Sequence, residues 1–275
     1  MAALAEHYTL SNGVRIPKIG FGTWQLADGD SAYNAVKVAL QEGYRHIDTA
    51  RSYQNEASVA QAITDSALPR EDVFLTTKLR AEIKTYDEAH RSFAESLAAL
   101  KIDYVDLYLI HAPWPWHDVG GDYRAGNAEA WRALEEIYTD GRARAIGVSN
   151  FTADDIKTLL TTASLAPQAN QIEFYIGHTQ PEVTAYCQAN GILVEGYSPL
   201  ATGTLIDNTE IRDLATRYKK SVAQLSIQYI LQNGVLPLPK AATPSHIAEN
   251  AVLDFTIDRA DMDYLDALVD TSSKT

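Results

Sequence analysis

One cysteine, Cys187, stands in 275 residues. No internal disulfide can form, and no thiolate cluster can hold zinc. Basic side chains are scarce as well: 23 Lys and Arg face 36 Asp and Glu, a net charge of −13. That excludes a protein that coats nucleic acid, because binding phosphates takes a basic face. A small anionic ligand stays open, since a few lysines in one cleft act locally against the global sign. No apolar run is long enough to span a bilayer, Val105 to Ile110 being too short, so no membrane partner is expected. Met1-Ala-Ala-Leu-Ala-Glu-His7 lacks the basic start and apolar stretch of a signal peptide, which points to the cytoplasm. Neither a Gly-x-Gly-x-x-Gly turn nor a phosphate-binding P-loop occurs, and no metal site is expected.

What is present suits a large core: 46% hydrophobic residues with an ordinary 21% charged. Tyr8 to Ile16, with Asn12-Gly13 as the tight-turn dipeptide, predicts a small hairpin. Strand-like and helix-like segments then alternate. Strands are expected at Ile19 to Gly22, His46 to Asp48, Val73 to Lys78, Val105 to His111, Ala143 to Val148, Ala169 to Ile172, Ile192 to Tyr197 and Leu236 to Leu238. Helices are expected at Ala32 to Glu42, Glu56 to Ser66, Tyr86 to Leu100, Ala128 to Asp140 and, last, Arg259 to Asp270 with Asp258 as its N-cap and Asp261 three residues on. Eight strands in βα spacing, with no linker between them, predict one α/β domain over residues 1–275, a (β/α)8 TIM barrel closed at the bottom by the hairpin. A doubly wound sheet is the rival architecture.

In such a barrel, function sits at the C-terminal ends of the strands. Asp48 ends the second predicted strand, Lys78 the third and His111 the fourth, and Tyr53 follows in the loop after Asp48. A lysine ammonium beside a tyrosine favours phenolate and lowers the phenol pKa, a carboxylate holds the lysine, and a histidine can donate to a carbonyl oxygen. Taken singly, Lys78 with Asp48 is an ordinary ion pair, Tyr53 one of 15 tyrosines and His111 a core histidine. Their convergence on one mouth points to a proton donor beside a developing alkoxide.

Three stretches carry a family resemblance: Gly43-Tyr-Arg-His-Ile-Asp48-Thr-Ala-Arg-Ser-Tyr53-Gln-Asn-Glu56, Leu109-Ile-His111, and Leu238-Pro-Lys240 with Glu249-Asn250. With Gly22-Thr-Trp24, Gly147-Val-Ser149-Asn150, Asn170-Gln171-Ile-Glu173 and Tyr197-Ser-Pro-Leu200, they make the chain resemble the aldo-keto reductases over nearly its whole length. The resemblance implies reduction of aldehydes and ketones by NADPH, bound across the barrel mouth without a Rossmann domain. Carried over by position, Tyr53 is the general acid, Lys78 and Asp48 tune it, and His111 orients the carbonyl. Ser149, Asn150 and Gln171 match the ligands of the nicotinamide carboxamide, and Tyr197 the residue that stacks on its ring. Gly22, Thr23, Trp24 and Asp48 fall among the cofactor positions. Ser198, Leu200 and Gly203 match the pyrophosphate loop, and Glu249 and Asn250 the adenine contacts.

The 2′-phosphate segment departs from the family. Lys240 is retained, but Ala241 replaces the usual serine and His246 the usual arginine, leaving Thr243 and Ser245 as polar neighbours. A neutral imidazole gives neither the charge nor the bidentate fork of arginine. NADPH with some tolerance of NADH is therefore expected. On the substrate side, Trp24, Tyr53, His111, Ala112 and Trp114 are the pocket candidates, with Trp116 in the same loop; Ala112 stands where the family often has tryptophan. Thr271 to Thr275 is too short for the C-terminal wall of longer members, which predicts an open pocket for small carbonyls. The layout is similar to the bacterial branch holding 2,5-diketo-D-gluconic acid reductases and reductases of methylglyoxal and keto esters. Nothing marks a subunit interface, so a monomer is expected. Two other readings compete: a non-catalytic NADPH-binding regulatory subunit, and a Schiff-base lyase using Lys78.

Overall fold

Helix α1 (Ala2–Ala5) leads into strands β1 (His7–Thr9) and β2 (Arg15–Pro17), which pair antiparallel with Tyr8 opposite Ile16; the computed structural model describes residues 2–272. Gly13 supplies the positive φ, +86°, that the turn between them needs. Leu10 and Ile16 of this hairpin cluster with Phe74, Leu107, Ala145, Ala169 and Leu236, all near the starts of later strands, and Asn12 Nδ2 donates to the Arg144 carbonyl at 2.9 Å. The hairpin thus plugs the bottom of the barrel.

Eight parallel strands form that barrel: β3 (Phe21–Gly22), β4 (His46–Asp48), β5 (Phe74–Leu79), β6 (Leu107–Ile110), β7 (Ile146–Ser149), β8 (Ala169–Glu173), β9 (Leu193–Tyr197) and β10 (Leu236–Leu238), paired in chain order. The ring closes where Gly20 and Gly22 donate their N–H groups to the carbonyls of Pro237 and Pro239, at 3.1 and 3.0 Å. Only glycine fits at residue 20, since a Cβ there would lie 2.4 Å from Leu238 and 2.6 Å from the His46 ring. Between strands run α2 (Asp30–Gln41), α3 (Glu56–Asp65), α4 (Tyr86–Leu100), α5 (Arg124–Thr139), α6 (Ala153–Leu159) and α7 (Pro181–Ala189). Both α8 (Thr209–Arg217) and α9 (Val222–Gln232) lie between β9 and β10, and α10 (Pro244–Asn250) and α11 (Arg259–Asp266) follow β10. In α4 the buried positions Ala89, Phe93, Ser96 and Leu100 recur every three to four residues, the stripe a helix needs to lie on a sheet.

Several boundaries differ from the sequence expectation. The first strand begins at Phe21, not Ile19. Strand β6 begins at Leu107, and Val105 keeps only an isolated bridge to Ala143. The reason is Asp106, whose buried carboxylate takes the Leu75 N–H at 2.9 Å and pairs with Arg70 and Arg144 at 2.9 and 2.7 Å, displacing regular ladder bonds. Helix α5 starts four residues before Ala128. Helix α11 stops at Asp266, well short of Asp270, which sits at φ +53°. Asp258 flanks it without a side-chain cap, and Asp261 turns away to Arg217 and Tyr218, each at 2.6 Å. The caps that do form are the boxes Thr152–Asp155 on α6 and Ser221–Gln224 on α9 and the Asn208 side chain on α8, which accepts from the Ile211 N–H.

Candidate active site

Parallel strands bring all their C-terminal ends to one face. Asp48 ends β4, Lys78 lies one residue from the end of β5, His111 follows β6, and Ser149 and Tyr197 end β7 and β9. After Asp48 the chain makes a single 3-10 turn, Arg51–Tyr53, which Gln54 ends in the left-handed region at φ +58°. Asn55, fully buried, pins this loop: its amide donates to the carbonyls of Thr23 and Leu26, each at 3.0 Å, and its oxygen accepts from Thr49 Oγ1 at 2.8 Å. Buried Glu56 accepts from Thr77 Oγ1 at 2.7 Å. Tyr53 is therefore presented by a loop anchored to both neighbouring strands.

Lys78 is completely buried. Its Nζ donates to both Asp48 carboxylate oxygens at 2.7 and 2.9 Å, to the Thr49 carbonyl at 2.9 Å and to the Tyr53 hydroxyl at 3.3 Å. Burial works to lower the pKa of this lysine, but the Asp48 carboxylate and the Tyr53 phenol outweigh it and hold the ammonium above its usual range. A Schiff-base nucleophile needs a free amine, and this arrangement favours the charged form instead. For Tyr53 the sequence expectation of a lowered pKa is corrected. Burial raises the phenol, Lys78 pulls it down, and the net shift is upward, so the free site holds a protonated hydroxyl. Sequence shows a charged neighbour but not the depth of burial, and here burial dominates.

His111 is buried to 7% exposure, with its ring edge-on to Tyr53 at 5.5 Å between centroids. Burial, then the charge of Lys78, drives its pKa well below the usual value, so the ring is neutral. Its Nδ1 lies 3.2 Å from Ser52 Oγ. A hydroxyl that donates to Nδ1 leaves the proton on Nε2, the tautomer able to donate to a carbonyl. Replacing Ser52 by Ala is expected to lower kcat/KM by about three- to tenfold, the worth of one net hydrogen bond, with unchanged kinetics counting against the contact. Around the rim, Trp24 and Trp116 are among the exposed large hydrophobic side chains, at 45% and 44%. Trp116, rather than Trp114, packs edge-on against His111 at 5.5 Å, and Trp114 backs it at 5.2 Å. Ala112 is fully buried; its carbonyl accepts from Lys84, which also donates to Asn127, so this residue supports the loop instead of lining the mouth.

The remaining predicted residues ring the same face. Buried Thr23 gives its hydroxyl to the Asp48 carbonyl at 3.0 Å, behind Gly22. Ser149 Oγ donates to the Gln171 carbonyl, and Asn150 Nδ2 donates to Ser149 Oγ and the His111 carbonyl. Asn150 Oδ1 accepts from the Tyr197 hydroxyl at 2.8 Å, which fixes that ring beside the mouth. Gln171 donates through Nε2 to Asp48 Oδ2 at 2.9 Å and to Glu195 Oε2 at 3.0 Å; among the described residues nothing donates to its amide oxygen. After β9, Ser198, Ala201, Thr202 and Gly203 all take positive φ, coiling half-buried Ser198, Leu200 and Gly203 into a tight loop. Lys240, Thr243 and His246 are exposed at and before the start of α10, Ala241 and Asn250 are buried, and Glu249 is half-buried. These last residues share a neighbourhood by sequence, and Lys240 follows directly on Pro239, whose carbonyl accepts from Gly22, the register partner of Asp48.

Thr49, Ser52 and Glu195 join the site without a signal in the sequence, and Trp114, the pocket candidate, reaches His111 only through Trp116. Thr271 donates to the Ile176 carbonyl, and Ser272 lies 3.0 Å from the Tyr175 hydroxyl, so this segment is fastened to the loop after β8; residues 273–275 lie outside the described range.

Comparison with known proteins agrees with this geometry. The profile of the Aldo/keto reductase family matches residues 18–270. The oxidoreductase YtbE of Bacillus subtilis is 44% identical over 94% of this chain and 91% of its own length. The glyoxal reductase of the same organism is 42% identical over 97% of this chain and 94% of its own. A Bombyx mori aldo-keto reductase solved in complex with NADP superposes with a TM-score of 0.87 at 34% identity, covering 97% of this chain and 94% of that one. A profile spanning nearly the whole barrel, including Asp48, Tyr53, Lys78 and His111, leaves one assignment: the chain belongs to the aldo/keto reductase family of oxidoreductases.

Proposed function

We propose that the protein reduces small aldehydes and ketones to alcohols with NADPH, using Tyr53 as the proton donor. The observation that carries this reading is Lys78 Nζ, buried between the Asp48 carboxylate and the Tyr53 hydroxyl beneath the exposed rim of Trp24 and Trp116. A substrate carbonyl oxygen seated at Tyr53 and His111 meets two donors, the phenol and the imidazole Nε2–H. As negative charge develops on that oxygen, Tyr53 gives up its proton, and Lys78 stabilises the phenolate that forms. Asp48 keeps Lys78 charged and in place. Bound NADPH supplies the hydride.

The residues present fit that cofactor. The unpaired amide oxygen of Gln171 would accept from a carboxamide, the Tyr197 ring stands fixed beside the mouth, and the loop at Ser198 to Gly203 is coiled tight by its own bonds, Ala201 and Gly203 donating to the Ser198 and Leu200 carbonyls, which leaves a compact small-residue turn where a pyrophosphate would pass. Gly22 lets β3 close on β10, since a Cβ there would meet the Leu238 carbonyl at 3.3 Å. Lys240 and His246 are the cationic and polar groups near the 2′-phosphate segment, with Glu249 and Asn250 beyond. His246→Arg is expected to widen the NADPH-to-NADH ratio of kcat/KM by about tenfold, one charge-assisted contact; an unchanged ratio removes residue 246 from the phosphate site.

The glyoxal reductase relative makes α-dicarbonyls the first substrates to try, and the open, aromatic rim also suits keto esters and aromatic aldehydes. Oxidation of NADPH and NADH is to be followed with methylglyoxal, a keto ester, an aromatic aldehyde and a sugar-derived diketo acid. Turnover with at least one supports the reading, and the profile places the protein among the bacterial reductases. Tight NADPH binding with no turnover on any would make it a regulatory subunit. On this reading the protein works as a monomer of one domain in the cytoplasm.

A further inference from the structure

Beneath Asp48, Tyr53, Lys78 and His111 lies a titratable group that the proposed reaction does not use. Glu195, on β9, points into the barrel and is fully buried. Its Oε2 accepts from Gln171 Nε2 at 3.0 Å, and its Oε1 has no hydrogen-bond partner. The same Gln171 nitrogen donates its other proton to Asp48 Oδ2 at 2.9 Å, so one amide bridges two buried carboxyl groups across the barrel. Turning that amide over would set its oxygen against the ionised Asp48 carboxylate. Asp48 and Glu195 Oε2 together thus hold the nitrogen inward and leave the amide oxygen on the opposite side.

We propose that Glu195 is a positioning residue of this site: it aims the Gln171 amide oxygen at the cofactor and, through its own protonation, sets the charge felt by the Asp48–Lys78–Tyr53 group. The proposal rests on the reductase reading above. The charged and titratable groups that face Glu195 are few. Asp48 and Lys78 act on it directly, with the Tyr53 phenol above them. His46, which shares the inward face of β4 with Asp48, is held neutral by burial and then by Lys78, its pKa driven down to about 3. The register neighbours on β8 and β10, Gln171 and Leu236, carry no charge. Burial, then Asp48, pushes the Glu195 carboxyl up to about 8, which agrees with an oxygen left bare of any donor. At neutral pH Glu195 is thus protonated, and the buried group of Asp48, Lys78 and Glu195 is neutral overall. Above that pH a second negative charge appears beneath Lys78, the Tyr53 phenol holds its proton more firmly, and proton donation slows.

Glu195→Gln keeps an oxygen for the Gln171 amide but cannot ionise. Wild-type kcat for reduction is expected to fall about three- to tenfold as pH rises from 7 to 9, while the Gln variant stays flat over that range. Glu195→Leu removes the acceptor and should raise KM for NADPH by about five- to tenfold, with the Gln variant within about twofold of wild type. A third readout needs no turnover. The folded carboxyl keeps a proton that the unfolded chain gives up near 4.5, so stability relative to the Gln variant falls as pH rises from 4.5 to about 8 and levels off beyond. Melting temperatures of the two proteins, measured across that span, test this directly. A Gln variant that loses activity at the same pH as wild type, or a melting difference independent of pH, overturns the proposal. A wild-type protein that melts as described yet reduces no carbonyl overturns the reductase reading and leaves the titration of Glu195 standing.

Discussion

Replacing Tyr53 by Phe is expected to lower kcat for carbonyl reduction by about 10²–10⁴-fold, the usual contribution of a positioned general acid. The change removes one oxygen from a half-buried ring and leaves its packing against His111 in place. NADPH affinity should stay within about twofold, because the phenol acts on the reacting carbonyl and not on the cofactor's anchoring groups. The raised phenol pKa adds a sign: wild-type reduction proceeds from the protonated hydroxyl, so the loss should be as large at pH 6 as at pH 7. Steady-state kinetics with two unrelated aldehydes, together with cofactor titration by fluorescence, check both parts. Near-normal kcat in the variant would move the proton donor elsewhere, and His111 would be the next group to remove.

Lys78→Met should cost both activity and stability. The ammonium sits fully buried against a carboxylate that is itself only 4% exposed, so deleting it strands a buried negative charge. Breaking such a pair from one side typically costs about 3–5 kcal/mol, enough to lower the melting temperature by many degrees. The double change Lys78→Met with Asp48→Asn removes both charges and should regain much of that stability while recovering no activity, because Tyr53 then has no cation to stabilise its phenolate. Thermal melting of the two single variants and the double variant measures the coupling. A single variant as stable as wild type would mean that Asp48 is solvated after the change, and that the pair is not closed to water.

The gathering of Asp48, Lys78 and His111 at one face was legible in the sequence because strand spacing identifies strand ends, and a parallel barrel brings those ends together whatever their separation along the chain. Asp48, Lys78 and His111 needed only the count of βα units, and the ladder from β3 to β10 bears that count out. Glu195 was hidden for the opposite reason. In Leu193-Val-Glu-Gly-Tyr197 a single acid gives no sign of a partner, and its contact with Gln171, and through it Asp48, exists only once the barrel is closed. Trp114 and Trp116 could not be ranked because a Pro-Trp-Pro-Trp loop has no period from which direction can be read. Local caps misled at α11, where Asp261 is taken by Arg217 and Tyr218 from a helix 44 residues earlier in the chain. The direction of the Tyr53 shift was missed because charge neighbours are visible in a motif and desolvation is not.

The claim on which the account depends is hydride transfer to a carbonyl carbon at the mouth above Tyr53 and Lys78. The most direct measurement is product analysis after wild-type protein is mixed with methylglyoxal and NADPH deuterated at the transferable position. One NADPH is expected to be consumed per carbonyl reduced, with one deuterium on the new alcohol carbon. Oxidised cofactor with no deuterium in an alcohol product, from methylglyoxal or any other carbonyl of the panel, would contradict it.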